Sequence, residues 1–259
     1  MSFKRLTIAI AVSVFLVYGG LILSLFYFYQ GPLFATTLFS ERTLFSLRLS
    51  LMAATIATLA SLVFAIPAAY VLSRYRFFGS EVIDTLLELP MIVSPVALGA
   101  MLLIFFNTPA GQLIQDRGPQ FVFTVYGILL AQFITTVGVA IRLIKAVLDE
   151  IPKKYEESAW VLGKSPAETF FVVVLPLSKK GIISSAVLTW AKALGEFGAT
   201  ITIAGSMAMK TETLPIAIYM RLASADIEGT AALVLILIGI GLGILYGVRF
   251  FFRDKASYS

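Results

Sequence analysis

The 259-residue sequence contains no cysteine and no histidine. Disulfides, thiolate nucleophiles, imidazole bases and zinc sites of the His/Cys kind are therefore excluded. Charge is also scarce, at 14% of residues against roughly a quarter in ordinary soluble domains. No Gly-x-x-x-x-Gly-Lys-Ser/Thr phosphate loop occurs, so the chain carries no P-loop ATPase of its own. Basic residues exceed acidic ones only modestly, 20 to 15, which argues against a nucleic-acid binder built on a basic domain. What is abundant is apolar surface: 59% of residues are hydrophobic and the mean hydropathy is +0.92. One water-soluble core cannot hide that much, so the expected solvent for most of the chain is lipid.

Uncharged stretches long enough to cross a hydrocarbon core of about 30 Å define the spans. We read six: Leu6–Phe28, Leu49–Leu72, Leu89–Phe106, Phe121–Ile141, a fifth from after Lys180 to Ala204, and Ala231–Val248. The first exceeds a signal-peptide core and lacks a convincing small-residue cleavage site, so it is read as an uncleaved span. The expectation is an all-α integral membrane protein, residues 1–259 forming one transmembrane domain. Orientation follows from Lys and Arg. With the N-terminus in the cytoplasm, 14 of the 20 fall inside, among them Lys4, Arg5, Arg74, Arg76, Arg142, Lys153 and Lys255. Arg42, Arg48, Arg117, Lys210 and Arg221 fall outside. Both termini are thus expected in the cytoplasm of a multi-pass cell-membrane protein.

Two spans repeat small residues every fourth position: Ala53, Ala57, Ser61, Ala65 and Ala69 on the second, Gly239, Gly243 and Gly247 on the sixth. Such stripes let two backbones approach closely, and packing is the simplest reading. Pro67, Pro90 and Pro95 interrupt or border spans, as happens where protein or a watery cavity satisfies the freed backbone groups. Lys192 and Glu196, four apart, are expected to share one face of the fifth helix. Ionised groups within a span cost about 2.5–3.5 kcal/mol each on insertion scales. A face turned to a pore or a subunit interface is therefore favoured. Either the pair braces the helix, or Lys192 sets the potential along an anion path while Glu196 holds it in place.

The longest polar stretch, Arg142 to Lys180, is patterned. Pro152 suits the start of a short helix and Gly163 its end. Ser165, Pro166 and Glu168 form a capping-box signature for a second helix, which Leu175-Pro176 is expected to end. Binding of lipid headgroups by Lys153, Lys154, Lys179 and Lys180 is one alternative use of this loop.

Within it, Glu157-Ser158-Ala159, three residues, Gly163, nine residues and Val173-Val174-Leu175-Pro176 resemble the EAA loop of ABC importer permeases. Ser158 and Val173 are the departures from that pattern. Downstream, Trp190–Tyr219, above all Gly195–Thr200 and Thr213-Leu214-Pro215, looks like the permeases for molybdate and tungstate and, more distantly, sulfate. Met207–Lys210 departs from the turn found in molybdate permeases. The resemblance implies a type I importer permease fold with segment 142–180 as a cytoplasmic coupling loop. It also implies that Glu156, Glu157, Ser158, Ala159, Trp160, Leu162 and Gly163 dock on an ATP-binding subunit. The implied assembly is a homodimer with two ATP-binding cassette subunits and an extracytoplasmic oxyanion-binding protein. ATP and Mg would bind in the partner, and this chain would hold no cofactor and no metal. A sulfate or thiosulfate permease is the near alternative, and an ion-coupled secondary transporter the remote one.

Overall fold

The computed structural model describes residues 3–28 and 31–253, and every regular element among them is helical. In chain order these are α1 (Phe3–Leu25, with a 3-10 turn at Phe26–Phe28), α2 (Gly31–Leu38), α3 (Glu41–Arg74), α4 (Ser80–Leu86), α5 (Leu89–Ile92), α6 (Pro95–Phe106) and α7 (Pro109–Arg117). There follow α8 (Val125–Asp149), α9 (Lys154–Val161), α10 (Pro166–Thr169), a π turn (Phe170–Val174), α11 (Leu175–Leu194), α12 (Gly198–Ala204), α13 (Leu214–Ala223) and α14 (Ile227–Arg253). Among the described residues, five stretches are long and apolar enough to span a bilayer: Phe3–Phe28, Glu41–Arg74, Val125–Asp149, Pro166–Leu194 and Ile227–Gly247. A bent pair, Ser80–Ile92 with Pro95–Phe106, passes the same test only when its arms are taken together, as a broken span or a re-entrant loop, giving five or six passages.

The centre of the bundle is α3 against α8. Ala53, Ala57, Ser61, Ala65 and Ala69 are all buried along one side of α3. Ala53 packs with Ile128 and Ala131, and Ala65 and Ala69 pack with Ala140, Ile141, Ile144 and Leu148. Midway, the hydroxyls of Ser61 and Thr136 lie 3.0 Å apart. In lipid, close packing and interhelical hydrogen bonds drive such association, because apolar burial itself gains little there. Pro67 removes one helical hydrogen bond from α3, at a point where its neighbours Ala65 and Ala69 are fully buried. Gly138 of α8 lies so close to the Leu87 carbonyl that a Cβ would overlap the oxygen. Ala54 packs on Ala193 and Leu194 of α11, and Trp190 Nε1 donates to Thr55 Oγ1 at 3.1 Å. Leu214 and Ala217 of α13 pack with Leu233 and Ile236 of α14.

Several sequence expectations are corrected. The third span is not one helix from Leu89 to Phe106: the passage turns through 112° at Val93-Ser94. Pro95 disfavours helical geometry at Ser94, whose extended backbone and side-chain bond to the Ala97 N–H (3.3 Å) start α6 afresh. The fourth helix runs eight residues past Ile141, to Asp149, so Arg142 and Lys145 sit on it. There Arg142 pairs with Glu88 and, at 3.7 Å, with Asp84 of α4. The second loop helix does not end at Leu175-Pro176. A π turn widens the backbone, with Leu175 N–H bonded to the Phe170 carbonyl, and Pro176 enters α11 at its first turn. The fifth span therefore begins at Pro166 and breaks at Gly195–Phe197, before α12. Apart from these corrections, a Cβ on Gly239, Gly243 or Gly247 would meet no atom within 4 Å among the described residues. Lys255 lies outside the described residues.

Candidate translocation path and docking surface

At the break between α11 and α12, the two charges predicted for one helix face part company. Lys192 lies in the last turn of α11, whereas Glu196 lies beyond its end. No ion pair joins them among the described residues. Instead Glu196, almost fully buried, accepts the Ala199 N–H at 2.9 Å, satisfying a donor at the start of α12. Lys192 is half-buried and, among the described residues, has no carboxylate within salt-bridge distance. Both line a cavity of about 520 Å³ with Pro95 and Val96 of α6, Ala191, Gly195, Phe197 and Gly198. The arrangement places a cation with no ion pair among the described residues beside the broken ends of three helices. Gly198 suits the closeness of this meeting, since a Cβ there would sit 3.0 Å from Pro95 and Val96, tighter than ordinary contact.

Beyond α12 the chain folds into a compact turn. Gly205 takes φ +71, and the Met207 carbonyl accepts N–H groups from Lys210, Thr211 and Glu212 at 2.9–3.1 Å. Met207–Lys210 are exposed, but Thr211, Glu212, Thr213 and Leu214 are completely buried. Leu214 N–H donates to Ser50 Oγ of α3 at 2.7 Å. Arg42, at the start of α3, grips Glu212 through Nε (2.7 Å) and a terminal nitrogen (2.6 Å). Sequence reasoning missed Glu212, because a lone acid in a polar turn carries no periodic signal.

At the opposite end, α9 presents two faces. Glu156 is 2% exposed and Ala159 is buried, so both point into their own chain. Glu156 accepts hydrogen bonds from Arg74 Nε at 2.5 Å and the Tyr70 hydroxyl at 2.8 Å. Glu157, Ser158, Trp160, Leu162 and Gly163 are exposed, with Val161 (88%) and Leu162 (82%) standing almost free. Gly163 has φ +80, a left-handed geometry that side chains other than glycine's rarely adopt. The capping box is complete: Ser165 Oγ accepts the Glu168 N–H and Glu168 accepts the Ser165 N–H. Of the seven residues predicted to dock a partner, five are therefore on the free face and two serve the bundle. Two adjacent carboxylates on a short helix face opposite ways, so Glu156 could have been separated from Glu157 only with knowledge of how α9 lies on α3.

Comparison with known proteins gives a consistent picture. The chain is 36% identical over 190 residues to the molybdenum transport system permease protein ModB of Haemophilus influenzae, covering 72% of this chain and 83% of the relative. It is 34% identical over 188 residues to the sulfate transport system permease protein CysT of Salmonella typhimurium, covering 72% and 68%. The fold matches, at 17% identity and a TM-score of 0.78, a bacterial ABC transporter involved in import of the acidic polysaccharide alginate, over 98% of this chain and 96% of that one. Residues 61–255 match the model for the binding-protein-dependent transport system inner membrane component. The chain therefore belongs to that family, the membrane permeases of ABC importers.

Proposed function

We propose that the chain is the permease subunit of an importer for a tetrahedral oxyanion, molybdate or tungstate ahead of sulfate. It works as a homodimer, with an ATP-binding cassette subunit on each copy and an extracytoplasmic oxyanion-binding protein delivering the substrate. The observation that carries the oxyanion reading is Lys192, without an ion pair among the described residues, in the cavity between α6, α11 and α12. Two copies would bring two such cations to one path, enough to lower the barrier for a dianion without trapping it. Sulfate is the second reading, because the CysT and ModB relatives are similarly close. The likeness at Gly195–Thr200 and Thr213–Pro215 favours molybdate and tungstate.

The docking role falls to Glu157, Ser158, Trp160, Leu162 and Gly163, the exposed side of α9 and its turn. ATP binding would draw the two partner subunits together, carry α9 with them and open the path outward. Hydrolysis would reset it. In this scheme α9 and both termini face the cytoplasm and the 205–213 turn faces outward. The test is uptake of labelled molybdate, tungstate and sulfate by the reconstituted complex, comparing wild type with Lys192→Gln. We expect oxyanion uptake that falls about tenfold in Lys192→Gln, on the order of one lost charge interaction. Uptake of a sugar or amino acid in place of oxyanions would overturn the reading, and undiminished uptake in Lys192→Gln would remove that lysine from the path.

A further inference from the structure

Two routes lead from α9 into the bundle. One follows the chain through Gly163, the Ser165 capping box and the π turn into α11. On it Gly163 sits at φ +80, the Lys164 N–H bonds the Ala159 carbonyl at 3.0 Å, and Phe171 and Val172 of the π turn are exposed. The other route runs through side chains. Glu156 is clasped by Arg74 and Tyr70, Arg74 also donates to the Ile151 carbonyl at 3.0 Å, and the Tyr70 ring lies edge-on to Phe170 at 4.9 Å. These groups are buried, with 6% and 3% of the Arg74 and Glu156 side chains exposed, so the pair is little screened by solvent. It joins α9 to the end of α3 through buried, charge-assisted hydrogen bonds, beside the backbone route that continues into α11.

From Arg74, α3 runs back to Arg42, a distance of about 48 Å at 1.5 Å per residue. There the two-point bond to Glu212 ties it to the turn between α12 and α13. Along the way it is packed on α8 through its small-residue stripe. One helix thus holds the inner face of α9 at one end and the 205–213 turn at the other. We propose that Glu156 is a positioning residue that locks α9 to Arg74 and Tyr70, making α3 the member that carries displacement of α9 to the Arg42–Glu212 contact and the 205–213 turn. The inference rests on the proposed docking of an ATP-binding subunit to α9, and it assigns Glu156 to transmission in place of docking.

The test compares wild type, Glu156→Gln and Tyr70→Phe in the reconstituted complex, following subunit association, ATP hydrolysis, oxyanion uptake and a spin label at Met209→Cys. The label is unambiguous in a chain without cysteine. Wild type should associate, hydrolyse ATP and show a label spectrum that changes on ATP binding. Glu156→Gln should associate and hydrolyse as wild type, yet lose uptake per ATP by about tenfold or more, within the usual range of coupling between sites. Its label should no longer respond to ATP. Tyr70→Phe should shift both readings the same way by a smaller factor, and it decides the matter if Glu156→Gln fails to fold. Normal uptake per ATP with a normal label response would overturn the proposal, as would loss of subunit association in a folded variant. Failure of the wild type itself to bind an ATP-binding subunit would instead defeat the functional reading.

Discussion

Arg42 and Glu212 lie 170 residues apart in sequence, yet meet through two parallel hydrogen bonds, and they share burial unequally. The Arg42 side chain is 55% exposed and that of Glu212 is fully buried. Removing one partner therefore has unequal consequences. Arg42→Ala leaves a carboxylate without compensation inside the protein, toward the upper end of the roughly 3–5 kcal/mol seen when one partner of a buried pair is removed. Glu212→Gln leaves an arginine that can turn to water and should cost less. Thermal unfolding in detergent should rank wild type, Glu212→Gln and Arg42→Ala in falling order of stability. Equal losses would mean that the pair acts as a surface contact.

Gly163→Val should leave a folded, membrane-inserted chain that no longer couples. A Cβ at this position meets nothing within 4 Å, so the penalty comes from backbone geometry alone. Holding a side-chain-bearing residue at left-handed φ costs roughly 1–2 kcal/mol. Asparagine tolerates that region better, so Gly163→Asn should retain more transport than Gly163→Val. Uptake by the two variants at matched expression checks the order.

Glycines on two helices should answer differently to the same change. Gly138→Ala would drive a Cβ into the Leu87 carbonyl oxygen and must push α8 away from the α4–α5 segment. Gly243→Ala meets open space within the chain and removes a residue that costs about 1 kcal/mol in a helix relative to alanine. The single chain should unfold earlier with the first and no earlier with the second. A transport defect in Gly243→Ala with unchanged chain stability would then locate a neighbouring subunit on that face of α14.

Topology offers a direct check of the charge asymmetry. A single cysteine at Lys153 should react with a membrane-impermeant reagent only from the cytoplasmic side, and one at Lys210 only from outside. Reaction of Lys153→Cys from outside would reverse the orientation and remove α9 from the reach of an ATP-binding subunit.

Much of the architecture was legible because lipid imposes long uncharged runs, and the family because the Glu157–Pro176 spacing is specific. The stripe from Ala53 to Ala69 was visible at a four-residue period and lies buried along α3. What escaped the sequence were the discontinuities. Leu89–Phe106 is long and apolar enough to pass as one helix, but Pro95 acts through the conformation of Ser94 and turns the chain. Lys192 and Glu196 have helical spacing, but the helix ends between them at Leu194. Pro176 looks like a terminator, and a π turn absorbs it. In each case a local rule was sound and the neighbouring helices decided how it was met.

The breaks at Val93-Ser94 and Gly195–Phe197 also bear on hydration. Helix ends leave backbone N–H and carbonyl groups without intrahelical partners, and lipid cannot satisfy them. Both ends of this discontinuity open on the cavity that holds Lys192. Part of that demand is met within the protein, by Ser94 Oγ accepting the Ala97 N–H and by Glu196 accepting the Ala199 N–H, and the groups left over favour a hydrated cavity over lipid contact. Under the proposed function, an anion passing this cavity would keep part of its water shell, exchanging the remainder for peptide groups. On that reading a single lysine per chain would suffice, because the anion beside it would never be fully stripped of water.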